Sequence, residues 1–450
     1  VVLPGAMAEI VLEGVELAGP EGRRTEATFA YRVDDWEYRA TVRWGSLILD
    51  EHDPAVAACL LNIGLCALVW PFMARPRPTV RVSPRAGRLT REQADWWREF
   101  YRLALVEFAV CNGLAAVPAP SVVAETPLEQ APAAVAPDNE ASADGDGLPE
   151  HCNGVRRGLC GLGGGKDSLV AMRLIQEQLG GHNDAVAWFY SAADSHDEFD
   201  KAARLRETVE RSGVGVVVIS HDPDYERLER ATEAPLRFGC VGGPVSALVA
   251  FDAALAAALG GYAWLAVGNE RSANFGNGFA LDGVEVNHQW DKGFAFERCL
   301  AAYIERHLVR NFRYFSPLAG LWEVQIAGYF AITCTDYLPI FCSCNSYRGN
   351  EWAGEWCCKC AKCLFVFILL SAWISPEEVK AVFGGADLLG PYGPTEHLER
   401  LLGIGHRGDK PLDCVGTPAE TSASLRCAAA RRAAGGAALP WALRASEDAW

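Results

Sequence analysis

Polar and apolar residues alternate through residues 9–49, with β-branched and aromatic side chains recurring in the runs 28–33 and 38–42. A period of two belongs to a half-buried strand, so this stretch predicts a small antiparallel sheet. A nearly unbroken apolar run at 55–74 predicts a helix, and so does an amphipathic run at 90–111 that carries Trp96, Trp97, Phe100, Tyr101 and Leu105. Residues 7–116 therefore read as a smaller α+β amino-terminal domain. Residues 117–150 are rich in Pro, Ala, Ser and acids and hold no Lys or Arg. They offer too little apolar surface to offset chain entropy, which predicts a disordered acidic linker, a solvated spacer rather than a docking tail.

From residue 151 the pattern changes to strands and helices in alternation. Apolar runs at 157–162, 184–191, 214–220 and 262–267 predict strands, and helical spacing at 167–179, 198–211 and 245–259 fills the gaps between them. A further strand ends at 314–318, with helices expected at 320–331 and 364–374. This alternation predicts an α/β fold over 151–403, a doubly wound, mostly parallel sheet whose ligands sit beyond the carboxyl ends of the strands. Loops 163–168, 192–196 and 268–277 should then face the site. Past Gly403 the chain turns Gly-, Ala- and Arg-rich with little periodicity, and 404–450 is expected to be a poorly ordered tail.

The run at 55–74 is long enough to cross a bilayer, which takes about 20 apolar residues. Its Ala, Gly and Cys content and the Asp53-Pro54 start favour a buried core helix, with no membrane involved. The aromatic stripe on 90–111 can hold a sugar or a uracil, but core packing is its expected use. A formal charge of −16 argues against a nucleic-acid partner, since phosphate binding needs clustered Lys and Arg. Sixteen cysteines in 450 residues are too sparse for a small disulfide scaffold, and their crowding into one segment favours metal or thiol chemistry in a reducing cytoplasm. No charged-apolar-cleavage signal opens the chain, and the residues before Met7 are expected to be an artefact of the assigned start. Nothing in the pattern calls for an obligate protein partner.

The densest chemistry lies at 159–168, Leu-Cys-Gly-Leu-Gly-Gly-Gly-Lys-Asp-Ser. A strand here feeds Gly163, Gly164 and Gly165, which open a helix whose free N–H groups and positive dipole end suit an anion. One helix-end charge contact is worth only about 0.3–1 kcal/mol, so Lys166 and Ser168 are expected as further phosphate donors. The Walker pattern fails, because Cys160 stands at its first glycine and Asp167 at its hydroxyl. The dinucleotide fingerprint fails for want of a third glycine at Ser168. The loop resembles that of enzymes that split ATP into AMP and pyrophosphate, Ser-Gly-Gly-x-Asp-Ser: Gly164, Gly165, Asp167 and Ser168 match, and Gly163 replaces the leading serine.

Two more segments are dense in donors after an apolar strand: Gly-Asn-Glu-Arg-Ser-Ala-Asn at 268–274 and Val-Asn-His-Gln-Trp at 286–290. Asn269, Glu270, Arg271, Asn274 and His288 are the site candidates there. Further on, Cys357, Cys360 and Cys363 recur with two residues between them ahead of an apolar helix, and Cys344 supplies a fourth thiolate. That set suits a tetrahedral structural Zn²⁺, with Cys342 and Cys358 spare; free thiols beside the active site are the alternative.

Taken with Ser-Pro-Leu-Ala-Gly-Leu-Trp-Glu-Val-Gln-Ile-Ala at 316–327 and Trp-Cys-Cys-Lys-Cys-Ala-Lys-Cys at 356–363, these motifs resemble the MurL family of UDP-N-acetylmuramoyl-L-alanyl-L-glutamate epimerases over about 7–403. Cys358 stands where that pattern is expected to carry glycine. The resemblance implies an ATP-pyrophosphatase fold of the adenine nucleotide alpha-hydrolase type. It also implies ATP-driven inversion of the terminal glutamate of UDP-MurNAc-L-Ala-L-Glu through an acyl adenylate, with ATP and Mg²⁺ at residues 163–168. His288 is the first choice for the base, with Lys292 and Cys344 behind it, and Asp167 serves the metal and phosphates. The rival readings are a nucleobase-modifying pyrophosphatase like the queuosine-precursor synthases and a nucleotide sensor without turnover.

Overall fold

The computed structural model describes residues 8–19, 24–45, 47, 53–124, 128, 156–192, 199, 202–344, 347–348, 351–352, 354–390, 393–404 and 410–434. The amino-terminal part contains β1 (Glu9–Ala18), β2 (Glu26–Val33), β3 (Trp36–Arg43), α1 (Pro54–Ala67), α2 (Val69–Ala74), β4 (Thr79–Val82), α3 (Arg91–Cys111) and β5 (Ser121–Ala124). Then β6 (Gly158–Gly161), α4 (Lys166–Gln178), β7 (Val186–Ala192), α5 (Ala203–Ser212), β8 (Val216–Asp222), α6 (Tyr225–Ala231), α7 (Val245–Gly260) and β9 (Trp264–Ala266) alternate. A short hairpin, β10 (Ala280–Leu281) and β11 (Val284–Glu285), precedes α8 (Phe294–His307), β12 (Arg313–Phe315) and α9 (Glu323–Thr333). The carboxyl-terminal part adds α10 (Ala361–Ser371), α11 (Pro376–Val382), α12 (Thr395–Leu401) and α13 (Pro418–Ala434).

Ten strands form one mostly parallel sheet in the order β12-β9-β6-β7-β8-β3-β2-β1-β4-β5. The expected separate amino-terminal sheet is therefore corrected: β3 pairs antiparallel with β8 through Thr41, Val42 and Arg43, and extends the parallel sheet. Alternation along β3 shows which face is buried, but it carries no information about which strand lies beside it. The predicted linker also begins later than 117, because β5 pairs in parallel with β4 and Leu128 bridges to Thr90. Residues 129–150 and the loop at 193–196 lie outside the described residues.

Side-chain alternation sorts two helical layers onto the sheet. Leu159, Ala187 and Phe189 point into a core built with α1, α2, α3, α7 and α8. Cys160, Trp188 and Tyr190 point into the opposite core, with α4, α5, α9, α10 and α13. The apolar run predicted as a core helix forms α1 and α2, and 83% of its apolar window is buried. Asp53 caps it by accepting the Ala55 N–H at 2.7 Å, with Pro54 in the first turn. Its one polar side chain, Asn62, is satisfied: its Oδ1 accepts from Trp97 Nε1 at 3.1 Å and Tyr303 Oη at 2.7 Å, and its Nδ2 donates to the Ala58 carbonyl at 2.8 Å. The aromatic stripe of α3 is core, with Trp97, Phe100, Tyr101 and Leu105 all buried.

The poorly ordered tail expected from 404 onward is corrected by α13. That helix packs Leu425 and Ala428 into the second core at 0% exposure. Its buried face is otherwise Glu420, Thr421, Ser422, Ser424 and Arg432, so hydrophobic periodicity is nearly silent there. Residues 405–409 and 435–450 lie outside the described residues. Leu425→Ala is expected to lower unfolding free energy by about 2–5 kcal/mol in chemical denaturation, the cost of an internal Leu-to-Ala cavity; a mobile tail would leave the midpoint unmoved.

Candidate active site

From β6 the chain winds one way through β7 to β8, then crosses to β9 on the other side of β6 and on to β12. The order reverses between β6 and β9, and open α/β sheets bind ligands in the crevice at the carboxyl ends of such strands. Two of the predicted site loops meet there. The turn after β6 places Gly164 at φ 71°, a left-handed conformation that favours glycine. Gly268, after β9, packs so closely on the first turn of α4 that a Cβ would sit 2.9 Å from the Asp167 carbonyl carbon. Among the described residues no side chain caps α4 at Gly165, which leaves its first N–H groups facing the crevice for an anion.

The expected phosphate donors sit differently from the expectation. Lys166 is buried at 1% exposure; its ammonium pairs with Asp167 Oδ1 at 2.5 Å and with Glu323 Oε2 at the start of α9. Burial pulls this ammonium down, but the two carboxylates outweigh burial and hold it above its ordinary range. Burial pushes the Asp167 carboxyl up to about 6, opposed by Lys166 and reinforced by Glu323 and Glu270. Ser168 Oγ donates to the Gly165 carbonyl at 2.9 Å. Lys166 thus sets the loop rather than reaching from it, because its stem runs inward beneath the helix start.

The second predicted loop divides into a buried half and a rim. Glu270 is buried and accepts from Gln289 Nε2 at 2.8 Å, and the Asn269 carbonyl accepts from Ser316 Oγ at 2.7 Å. Asn274 serves the backbone: it donates to the Arg271 carbonyl at 2.9 Å and accepts the first N–H of α8, from Phe294, at 2.7 Å. Arg271 is exposed, with its guanidinium 4.8 Å from the ring centroid of Trp322.

His288 and Lys292 sit in a cluster that the sequence did not reveal. His288 Nδ1 lies 2.9 Å from Glu107 Oε1 on α3. Burial lowers the imidazolium, but hydrogen bonds to Cys414 and Glu107 outweigh burial and push it up to about 10. Lys292 Nζ lies 3.9 Å from Cys414 Sγ. Cys414 and burial act on Lys292 in opposite directions, and with Glu270, Asp291 and Asp167 the net effect holds it as a cation. Burial raises the Cys414 thiol, but Lys292, His288 and Lys362 overcome this and bring it down to about 7. His288 is therefore a cation at neutral pH, a state that donates protons rather than taking them.

Segment 410–414 is strapped across these loops. Asn277 Nδ2 donates to the Lys410 and Pro411 carbonyls at 2.9 and 2.8 Å, and Lys410 Nζ donates to the Ser272 carbonyl at 3.2 Å and to Gln289 Oε1. Lys362 Nζ donates to the Cys414 carbonyl, and Glu420 accepts the Glu323 N–H at 2.7 Å. Glu107, Glu323, Lys362, Lys410, Cys414 and Glu420 are the site residues that sequence reasoning missed. Glu323 and Lys362 lie within the runs at 316–327 and 356–363, where one reads as an ordinary helix start and the other as a spacer between cysteines; the other four carry no signal.

The sulfurs of Cys344, Cys357, Cys360 and Cys363 all lie within 4.8 Å of one another, with edges of 3.9 Å for Cys344–Cys360 and 3.7 Å for Cys357–Cys363. A tetrahedron with metal–sulfur bonds of about 2.3 Å has edges of about 3.8 Å, so the donors fit Zn²⁺. The Lys359 and Cys363 N–H groups donate to Cys357 and Cys360 sulfur at 3.5 and 3.4 Å, which suits thiolates. Cys358 takes φ 58° between them, where a non-glycine residue costs about 1–2 kcal/mol. The same segment braces the site: the Cys342 N–H donates to the Gly164 carbonyl at 2.9 Å, and Lys362 lies between two of the thiols.

Two measurements check this geometry. The purified chain is expected to carry one zinc by elemental analysis, and Cys360→Ser to yield metal-free, destabilised protein; a well-folded wild type without metal removes the role. His288 is expected to titrate near 10 by NMR, and Glu107→Gln to bring it toward 6.5. Because its folded pKa lies above the unfolded one, the stability it contributes is complete below about 6.5 and lost as pH rises through about 10. The stability gap between wild type and Glu107→Gln should close over that window.

The MurL N-terminal domain model matches residues 16–317 and the MurL C-terminal domain model matches 340–448. The chain is 31% identical over 384 residues to the UDP-N-acetyl-alpha-D-muramoyl-L-alanyl-L-glutamate epimerase of Xanthomonas oryzae pv. oryzae (strain MAFF 311018), covering 84% of this chain and 76% of that protein. Proteins of the same name from Salinispora tropica and Micromonospora sp. (strain ATCC 39149) are 32% and 30% identical over 273 and 353 residues. The matches span 60% and 78% of this chain, and 55% and 70% of those proteins. The amino-terminal match runs from β1 through β12 and the carboxyl-terminal one takes in both the four-thiol cluster and the Cys414 strap, so the chain belongs to the MurL family.

Proposed function

We propose that this chain inverts the terminal L-glutamate of UDP-MurNAc-L-Ala-L-Glu to D-glutamate in peptidoglycan precursor synthesis, splitting ATP into AMP and pyrophosphate. The relatives' shared name supports the epimerisation and its substrate. One observation supports the ATP-driven route: an uncapped glycine loop and a buried acid–base cluster meet at a single sheet switch point.

The chemistry requires both halves. A free carboxylate resists loss of the neighbouring α-proton, since a second negative charge would develop beside the first. Transfer of the adenylyl group to that carboxylate removes its charge, releases pyrophosphate, and gives a carbonyl that accepts the electron pair of the broken C–H bond. The open N–H groups at the start of α4 would hold the phosphates, and Asp167 would hold Mg²⁺, which neutralises the leaving pyrophosphate. Lys166 and Glu323 keep Asp167 in place. Proton removal at the α-carbon belongs to the cluster around Lys292 and His288, a contribution of about 10²–10⁴-fold in such reactions. Water then cleaves the adenylate.

Incubation with Mg-ATP and the L-Glu substrate in D₂O tests the reading. AMP is expected to form with D-Glu that carries α-deuterium after acid hydrolysis of the product, and Asp167→Asn, which keeps a polar partner beside Lys166, to abolish both in folded protein. D-Glu that keeps its α-proton while AMP is made would overturn the activated-carboxylate route.

A further inference from the structure

We infer that Cys414 is the catalytic residue that takes the α-proton from the activated glutamate; this deepens the epimerase reading and rests on it. The thiol belongs to a cluster. It is half-buried on the strap that Asn277 and Lys410 fasten over the loop after β9, 3.9 Å from Lys292 Nζ and within electrostatic reach of His288. Glu107 holds His288 from behind through Nδ1 at 2.9 Å. Lys362 pins the Cys414 carbonyl, and Asn277 anchors the strap four residues upstream.

The other groups in the cluster are committed elsewhere. His288 and Lys292 are cations, so neither accepts a proton. Glu270 is held by Gln289, and Asp291 accepts the Ser246 N–H at 2.9 Å. Cys344 sits in the four-thiol set. The thiol, brought down to about 7 by Lys292, His288 and Lys362 against burial, is the group with a substantial basic fraction at neutral pH. Lys410, on the same strap, turns its ammonium to the Ser272 carbonyl and Gln289 Oε1, and burial pulls its pKa down.

In the step, the α-C–H bond breaks and its electron pair passes into the activated carbonyl, while the proton goes to Cys414 Sγ. A proton from water returns to the opposite face, and the thiol releases its own to water. No oxidant or reductant is needed. His288 and Glu107 act as positioning residues that hold the thiolate.

Full-length Cys414→Ser and Cys414→Ala, assayed with Mg-ATP and the L-Glu substrate in D₂O, test this. α-Deuterium incorporation is expected to fall by at least about 100-fold while AMP release stays within a few-fold of wild type, which also reports an intact fold. Exchange at the wild-type rate in either variant overturns the role. So does a parallel loss of AMP release in folded protein, which would place Cys414 in nucleotide binding. Should both variants fail to fold, the wild-type ratio of exchange to AMP release decides: it is expected to rise through about pH 7, and a flat ratio overturns the proposal. A wild type with no ATP-linked exchange overturns the epimerase reading itself, an outcome separable from all of these.

Discussion

A buried ammonium must be paired, and the fold around the crevice follows from how Lys166 is paired. Losing one partner of a buried ion pair typically costs about 3–5 kcal/mol, because the remaining charge cannot reach water. Lys166 has two partners, one beside it in α4 and one 157 residues away at the start of α9. The glycine loop is thereby fixed to α9, and the N–H of Glu323 passes the connection on to Glu420 on α13. Three segments far apart in the chain share one electrostatic knot, and an anion at the start of α4 would meet a backbone already set.

The same logic accounts for the second half of the crevice. Glu107 comes from the amino-terminal helix α3, Lys292 from the turn before α8, Lys362 from the cysteine segment and Cys414 from the strap. Burial alone opposes the charged forms of Lys292, His288 and Cys414. Held together, each fixes the others: the imidazolium and ammonium favour the thiolate, and the thiolate and carboxylate favour the cations. The amino-terminal region, which reads from its own pattern as a separate domain, thus supplies Glu107 to the cluster around His288.

Elements with a strong period were legible in the sequence. The strands that became β6 to β9, the helices α4 and α7, the apolar α1 and the aromatic face of α3 all follow from spacing. The glycine loop and the clustering of the four cysteines were legible as well, since close backbone approach and convergence of four thiols constrain residue types at fixed offsets. The φ of 58° at Cys358 shows why glycine is expected there. What stayed hidden lacked such constraints. Strand neighbours such as β3 beside β8 depend on edges that local alternation does not encode. The helix α13 buries mostly Ser, Thr and charged groups, so its amphipathic signal is absent. Cys414 stands without a motif, and only the fold brings it to Lys292 and His288.

The strap has a consequence for biosynthesis. Lys410, Cys414 and Glu420 are among the last described residues to leave the ribosome, whereas the glycine loop emerges some 250 residues earlier. A chain that stops before the strap has neither the carboxylate that braces Glu323 nor the thiol beside Lys292. The contacts of Cys414 with Lys292 and of Glu420 with Glu323 therefore form only after the strap and α13 have been made.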